Sequence, residues 1–129
     1  MKIDRIDHIV LTVASVDATI EFYSRVLAMK PITFAGGRRG LAFGLQKINL
    51  HPAAKPYPEK AKAPTPGSSD FCMITETLIV DVIAHLKAEN VDVELGPVPK
   101  TGATGQLSSI YFRDPDGNLL EVSNYVDPE

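Results

Sequence analysis

The stretch Tyr111-Phe-Arg-Asp-Pro-Asp-Gly-Asn-Leu-Leu-Glu-Val-Ser-Asn-Tyr125 decides the fold that we predict for this chain. It has the pattern of a β-hairpin, because β-rich residues precede a turn that holds Pro115 and Gly117, and a second strand follows. Glu121 lies in an otherwise apolar part of that second strand. A carboxylate there is costly to bury unless it is paired or bound to a cation. The hairpin therefore indicates a functional site as well as a local structure.

The two halves of the chain carry the same predicted order of elements, βαβββ. In the first half, a β-branched strand over residues 3–13 precedes a helix with Ser15 as its N-cap, and three short strands follow. In the second half, a strand over 70–75 precedes a helix capped by Thr77, a strand over 91–95 and the closing hairpin. This internal repeat predicts an α+β fold built from two βαβββ modules.

The boundaries of the modules follow from a proline-rich stretch. Five prolines lie between residues 52 and 69, where apolar residues other than Ala are scarce, so we expect a semi-extended linker or surface loop. We therefore predict one domain over 1–129, with a first module at 1–52, a linker at 53–69 and a second module at 70–126.

Composition excludes several classes of function. The chain has 129 residues, 44% of them hydrophobic and 22% charged, and a formal net charge of −3, which leaves no basic stripe for nucleic acid. No apolar run approaches the roughly 20 residues that span a bilayer, and the start lacks a signal-peptide apolar region. The one cysteine excludes an intrachain disulfide. We predict a cytoplasmic protein without a nucleic-acid or membrane partner.

Four polar residues occupy matching places in the repeat. Sliding one half over the other sets His8 beside Asp70, on the first strand of each module, and His51 beside Glu121, on the last strand. Imidazoles and carboxylates with open coordination positions suit Fe²⁺, Mn²⁺, Ni²⁺, Co²⁺ or Zn²⁺. The four residues are therefore candidate metal ligands, although the sequence contains no short ligand motif.

Other polar residues have structural interpretations. We expect Cys72 to be a buried, small apolar residue and not a nucleophile, since no acid–base partner is near it in the sequence. His85 lies off the apolar stripe of its helix, which predicts a solvent-facing side chain. Arg38 and Arg39 are able to grip an anionic substrate, but their position favours a charged hairpin turn.

Three segments carry a family resemblance that covers nearly the whole chain: residues 6–11, the helix over 19–27 and residues 111–121. Together they resemble the vicinal oxygen chelate superfamily, which includes glyoxalase I, fosfomycin-resistance proteins, extradiol dioxygenases and bleomycin-binding proteins. Residues 67–72 and 96–103 are similar to the glyoxalase-domain-containing type related to lactoylglutathione lyase. The resemblance implies that the paired modules form a half-open curved sheet around a divalent metal, in a homodimer with shared sites.

The resemblance also implies roles for the four polar residues. In the glyoxalase I branch, the first and last strands of each module supply the metal ligands, which maps onto His8, His51, Asp70 and Glu121. The chain departs from that pattern by having His at 51, where several glyoxalases have a carboxylate, and Asp at 70, where His is common. Asp70 counts against the fosfomycin-resistance and dioxygenase branches. Ala28 replaces the usual Gly after the first helix.

These features predict a metal-dependent lyase or isomerase of the glyoxalase I type. Its substrate would be a small molecule with neighbouring oxygens, such as the hemithioacetal of methylglyoxal and a thiol, with glutathione as a possible cosubstrate. Glu121 is the predicted base that moves the proton between the two carbons. The alternatives are a non-catalytic protein that sequesters a small molecule, and an Fe²⁺-dependent extradiol-type dioxygenase.

Overall fold

The computed structural model describes residues 1–126, and the chain divides between Ser68 and Ser69 into two units, unit 1 and unit 2. Each unit contains one α-helix and one open sheet of four strands, in the order βαβββ. The predicted α+β class and the internal repeat are therefore confirmed.

Unit 1 begins with a parallel pair of strands that are far apart in the sequence. Its sheet has the order β1-β4-β3-β2, in which β1 is parallel to β4 and the other neighbours are antiparallel. A short 3₁₀ turn lies between β2 and β3. The bounds are β1 His8–Val13, α1 Val16–Leu27, β2 Lys30–Phe34, β3 Arg38–Phe43 and β4 Gln46–Pro52.

Helix α1 begins and packs as its sequence predicts. The side-chain oxygen of Ser15 accepts a hydrogen bond of 3.1 Å from the backbone N–H of Ala18, so Ser15 is the N-cap. The apolar side of α1 covers one face of the sheet, and Tyr23 there is fully buried. Because this face is occupied by the helix, only the other face of the unit 1 sheet is open to a ligand.

Unit 2 repeats the arrangement, with the sheet order β5-β8-β7-β6 and a parallel β5–β8 pair. The middle strands β7 and β8 are the most buried, and Ile110, Phe112 and Leu120 are fully inaccessible. The bounds are β5 Asp70–Ile74, α2 Ile79–Ala88, β6 Leu95–Thr101, β7 Gln106–Arg113 and β8 Leu119–Tyr125.

Two predictions for unit 2, a strand and a helix cap, were wrong. The strand expected over 91–95 begins only at Leu95 and runs through Thr101, although it contains two prolines. Proline has no N–H to donate, but an edge strand such as β6 tolerates it. Helix α2 begins at Ile79 and takes its cap not from Thr77 but from Asn124 on β8, whose side-chain oxygen accepts the Ile79 N–H at 2.8 Å.

The predicted turn between β7 and β8 is confirmed and connects to β5. One carboxylate oxygen of the buried Asp114 accepts the N–H groups of Asp116 and Asn118, at 2.9 and 3.0 Å, inside the turn. The Asn118 side-chain oxygen in turn accepts the N–H of Ser69, at 2.9 Å, just before β5 begins. This polar cluster therefore fixes the parallel pairing of β5 with β8 at the start of β8, two residues before Glu121.

Neither helix among residues 1–126 is long and apolar enough to cross a membrane.

Candidate functional site

Glu121 occupies the middle of the unit 2 sheet, between two side chains that can form hydrogen bonds. In the register of β8 it lies opposite Tyr111 of β7 on one side and opposite Cys72 of β5 on the other. Residues directly opposite each other in neighbouring strands point to the same face. A carboxylate, a phenol and a thiol therefore share one face of this sheet.

Two buried serines lie on the same face of the sheet as Glu121, and one of them, Ser123, contacts its carboxylate. The Ser123 hydroxyl donates to one carboxylate oxygen of Glu121 at 3.3 Å, and it also lies 2.6 Å from the Ser109 hydroxyl. The Cys72 sulfur lies 3.3 Å from the Ser123 oxygen. Because Ser109 and Ser123 are both fully buried, this network is fixed by the sheet and orients Glu121.

The electrostatics of the site keep Tyr111 and Cys72, the two neighbours of Glu121, in their neutral forms. Partial burial, followed by the hydrogen-bonding interaction with Glu121 and its negative charge, raises the pKa of Tyr111 to about 12. Partial desolvation also raises the pKa of the Cys72 thiol. The hydrogen bond with Ser123 acts in the opposite direction, and the negative charge of Glu121 adds to the rise. At neutral pH the Tyr111 hydroxyl is therefore a donor toward Glu121, and Cys72 is a thiol and not a thiolate nucleophile.

An open groove of about 500 Å³ lies over this face of unit 2, lined by residues of β5 to β8 and by the turn after β6. It contains a negative group, Glu121, and a positive one, Lys100. The Lys100 ammonium lies 5.7 Å from the centre of the Tyr111 ring. Ile74 and Leu107 add apolar wall, so the groove has the mixed lining typical of a small-molecule site.

Asp70 lies near Glu121 in the same sheet. It is the first residue of β5 and pairs with Leu119, so Glu121 is its diagonal neighbour on the same face. Its side chain is exposed. Unit 2 thus brings two of the predicted ligands, Asp70 and Glu121, to adjacent strands.

Unit 1 does not bring its two predicted ligands together. In the parallel β1–β4 pair, His8 lies opposite Lys47, whereas His51 lies opposite Thr12. Four strand positions separate the two histidines, roughly 13 Å at about 3.3 Å per residue. His8 is exposed at the start of β1, where its Nδ1 lies 2.8 Å from the Asp7 carboxylate. Within unit 1 the two imidazoles therefore do not converge on one ion.

The strand register identifies Asn49 as a residue that the sequence analysis missed. Asp70 pairs with Leu119, and Glu121 lies two residues further along; His8 pairs with Lys47, and Asn49 lies two residues further along. The counterpart of Glu121 is therefore Asn49, and the predicted equivalence with His51 is wrong by two residues. The strand pairing reveals this shift, whereas the few identities between the halves could not fix the alignment.

His51 occupies a buried place of its own on β4. Its side chain is 3% exposed, and its ring packs edge-on against Tyr57 with 4.9 Å between centroids. The Arg38 guanidinium lies over the Tyr57 ring, 4.2 Å from its centre. Burial, reinforced by the positive charges of Arg38 and Lys60, lowers the pKa of His51, so the imidazole is neutral at pH 7.

The donor atoms fit a divalent metal in chemistry. Among the described residues, two buried side-chain atoms have no hydrogen-bond partner, the amide oxygen of Asn49 and Nδ1 of His51. An amide oxygen, a neutral imidazole and the carboxylates of Asp70 and Glu121 are all ligands for first-row divalent ions. No cluster of three or more His, Cys, Asp or Glu side chains that could hold an ion occurs within residues 1–126.

The remaining predictions for single residues had different outcomes. Cys72 is exposed, so its predicted burial was wrong; the strand turns it to the open face that Glu121 occupies. His85 is exposed, as predicted. Arg39 forms an ion pair with Asp17 at 2.6 Å. Sequence analysis also missed Tyr111, Ser123 and Lys100 as site residues, because only the pairing of four strands brings them to one face.

The two βαβββ units are the architecture of a known protein family. A family model described as "Glyoxalase/Bleomycin resistance protein/Dioxygenase superfamily" matches residues 5–122, and the chain belongs to this family.

Two relatives cover nearly the whole chain. "Virulence protein STM3117" from Salmonella typhimurium (strain LT2) is 52% identical over 98% of this chain and 88% of its own length. The crystal structure of that protein has a TM-score of 0.96 and covers 98% of this chain and 100% of the other. "Glyoxalase domain-containing protein RDO1" from Mycosarcoma maydis is 46% identical over 98% of this chain and 72% of its own length.

More distant structures share the fold alone. Lactoylglutathione lyase from Agrobacterium tumefaciens has a TM-score of 0.72 at 23% identity, covering 96% of each chain. TnmS3, an antibiotic-binding protein from Streptomyces sp. CB03234, has a TM-score of 0.74 at 20% identity, covering 98% of this chain and 99% of the other. FosX from Listeria monocytogenes, solved with Mn(II), has a TM-score of 0.68 at 17% identity, covering 97% of this chain and 93% of the other.

Proposed function

We propose that this chain is a metal-dependent lyase or isomerase of the glyoxalase I type, acting on a small substrate with two neighbouring oxygens. The observation that carries the proposal is the Glu121 carboxylate, oriented by the buried Ser123 and directed into an open groove of about 500 Å³. Members of this family include enzymes and binding proteins, and lactoylglutathione lyase shares the fold.

The chain's own residues suit a proton transfer between adjacent carbons. Glu121 takes a proton from the carbon that bears the sulfur and the hydroxyl and returns it to the neighbouring carbonyl carbon. The hydroxyl proton passes to the former carbonyl oxygen, and together the two transfers convert a hemithioacetal to a 2-hydroxy thioester. Ser123 fixes one carboxylate oxygen, and Tyr111, protonated at neutral pH, presents its hydroxyl to the same carboxylate. Both interactions hold Glu121 in one orientation over the groove.

A divalent ion would supply Lewis-acid stabilisation of the negative charge that develops on the substrate oxygens. We propose His8, Asp70 and Glu121 as its ligands, with the fourth position taken by Asn49 or His51. The register of unit 1 favours Asn49, whose buried amide oxygen lacks a hydrogen-bond partner among the described residues.

Metal dependence tests the proposal. The purified chain is stripped with a chelator, reloaded with Ni²⁺ or Zn²⁺ in parallel, and given methylglyoxal with glutathione while thioester formation is followed. We expect turnover with at least one of the two ions and none after chelation. Failure of both ions to support turnover, with binding of the ion verified by calorimetry, would count against the proposed lyase.

A second candidate function is sequestration of a small molecule. The apolar part of the same groove favours it, because Ile74 lines the groove and is 52% exposed, which leaves apolar surface for a ligand to cover. The antibiotic-binding protein TnmS3 shares the fold. Metal-free protein that binds apolar compounds tightly and turns none of them over would support this candidate. Oxygen uptake with catechols and Fe²⁺ would instead indicate a ring-cleaving dioxygenase.

A further inference from the structure

The groove of unit 2 contains a cation that the proposed proton transfer does not use. Lys100 lies near the end of the edge strand β6, opposite Leu107 of β7. Its side chain lines the groove together with Tyr111 and Glu121. Among residues 1–126, no carboxylate lies within 4.0 Å of the Lys100 ammonium, so the described part of the chain leaves its charge uncompensated.

The surroundings of Lys100 are fixed and partly apolar. Leu107, directly opposite it, is buried, and the turn after β6 is closed by a hydrogen bond of 2.7 Å from the Gly102 N–H to the Gly105 carbonyl. The hydroxyl of Tyr125 accepts the N–H of Thr104 at 3.3 Å, which attaches this turn to β8. Lys100 itself is exposed, so its ammonium, beside apolar walls and an anchored turn, is accessible to an anionic group.

The Tyr111 ring separates the two charges of the groove. Lys100 approaches the face of this ring at 5.7 Å, whereas the ring's hydroxyl interacts with Glu121. A ligand with an anionic end is attracted to Lys100 and repelled by Glu121, so the two charges fix its direction in the groove. The carbon that loses its proton then lies at the Glu121 end.

We propose that Lys100 forms an anion subsite and that the substrate of this protein carries a carboxylate, which binds Lys100 while an apolar portion of the substrate contacts Ile74 and Leu107. The direction of the substrate rests on the proposed role of Glu121, but the anion subsite itself does not. Lys100 is therefore a specificity-determining residue and takes no part in the proton transfer.

A matched pair of probes without neighbouring oxygens tests the subsite apart from metal chelation. The carboxylate 3-phenylpropanoate and the neutral 3-phenylpropanamide are titrated into the full chain, freed of metal by dialysis against a chelator, while the amide NMR signals of Thr101 and Leu107 are followed. We expect the carboxylate to bind about tenfold more tightly, which corresponds to one charge-assisted hydrogen bond. Lys100→Gln should remove this preference without changing the affinity for the amide, and Lys100→Arg should keep it.

Lys62→Gln is the control, since it removes the same charge from an exposed position in unit 1 and should leave the preference intact. Equal binding of the two probes by the wild-type chain, no binding of the carboxylate, or a preference that persists in Lys100→Gln would overturn the proposal. Because the readout is binding, absence of metal-dependent turnover tests the proposed lyase separately.

Discussion

At the scale of single residues, burial and charge decide which side chains are available for chemistry. Glu121 is half-buried and open to the groove, whereas His51 is almost completely enclosed beside Tyr57 and Arg38. The two residues seemed equivalent in the sequence because each follows an apolar residue in the last strand of its module. Their surroundings come from other strands and from the loop after β4, which no local pattern encodes.

The buried His51 predicts a pH-dependent stability. Because burial lowers its pKa in the folded state, the unfolded chain binds more protons, so stability is complete above about pH 6.5 and decreases as the pH falls below it. The loss is at most about 1.4 kcal/mol for each pH unit. Urea unfolding in chelator at pH 7.5 and 5.5 measures it.

Two variants separate this contribution from other titrating groups. His51→Asn should show a smaller decrease between the two pH values than the wild type. His85→Gln removes an exposed imidazole and should retain the wild-type decrease. An unchanged decrease in His51→Asn would contradict the assignment to the buried imidazole.

At the scale of strands and helices, the sequence predicted the order of elements but not their register. The period of apolar residues and the cap at Ser15 sufficed for α1 and the closing hairpin, whereas β1 begins only at His8 although the strand was predicted from residue 3. Strand β6 was displaced in the prediction because Gly96, Pro97 and Pro99 indicate a loop locally. Register between strands distant in sequence depends on tertiary pairing, and a shift of two residues there exchanged Asn49 for His51 as the counterpart of Glu121.

The register predicts which unit 1 residue binds metal. Asn49→Ala should weaken Ni²⁺ binding by more than about tenfold, because it removes an oxygen ligand, and Asn49→Asp should preserve binding by supplying a carboxylate. His51→Ala should weaken it less. Calorimetric titration of the three variants and the wild type measures the affinities, and a larger loss in His51→Ala than in Asn49→Ala would refute the order.

A close backbone approach in β6 predicts a site of large destabilisation. Gly96 has φ +115°, and a Cβ added there would meet the carbonyl oxygen of Ser109 and lie 2.9 Å from Cα of Ile110. Gly96→Ala should cost at least about 3 kcal/mol of unfolding free energy, through backbone strain and lost β6–β7 pairing. Gly44→Ala is the matched control, because Gly44 has φ +51° with open space around it, and should cost about 1 kcal/mol. Similar urea midpoints for the two variants would be inconsistent with this view of β6.

At the scale of the whole molecule, the open question is whether two copies of this chain associate. We expect a homodimer. Apolar side chains are exposed in both units, including Val10 on the edge strand β1 and Val80 on α2, and such surface is often covered in an assembly. Light scattering at micromolar concentration should give twice the mass of one chain. A single-chain mass across the accessible concentration range would contradict the expectation.

The most direct test of the proposed function is the turnover of Glu121→Gln. The change removes the carboxylate but retains the size of the side chain and an oxygen that can accept the Ser123 hydroxyl, so the fold should persist with an unchanged urea midpoint. With Ni²⁺ or Zn²⁺ and the hemithioacetal of methylglyoxal and glutathione, we predict a turnover number more than about a hundredfold below that of the wild type. Wild-type turnover by folded, metal-loaded Glu121→Gln would contradict the role of Glu121 as the base.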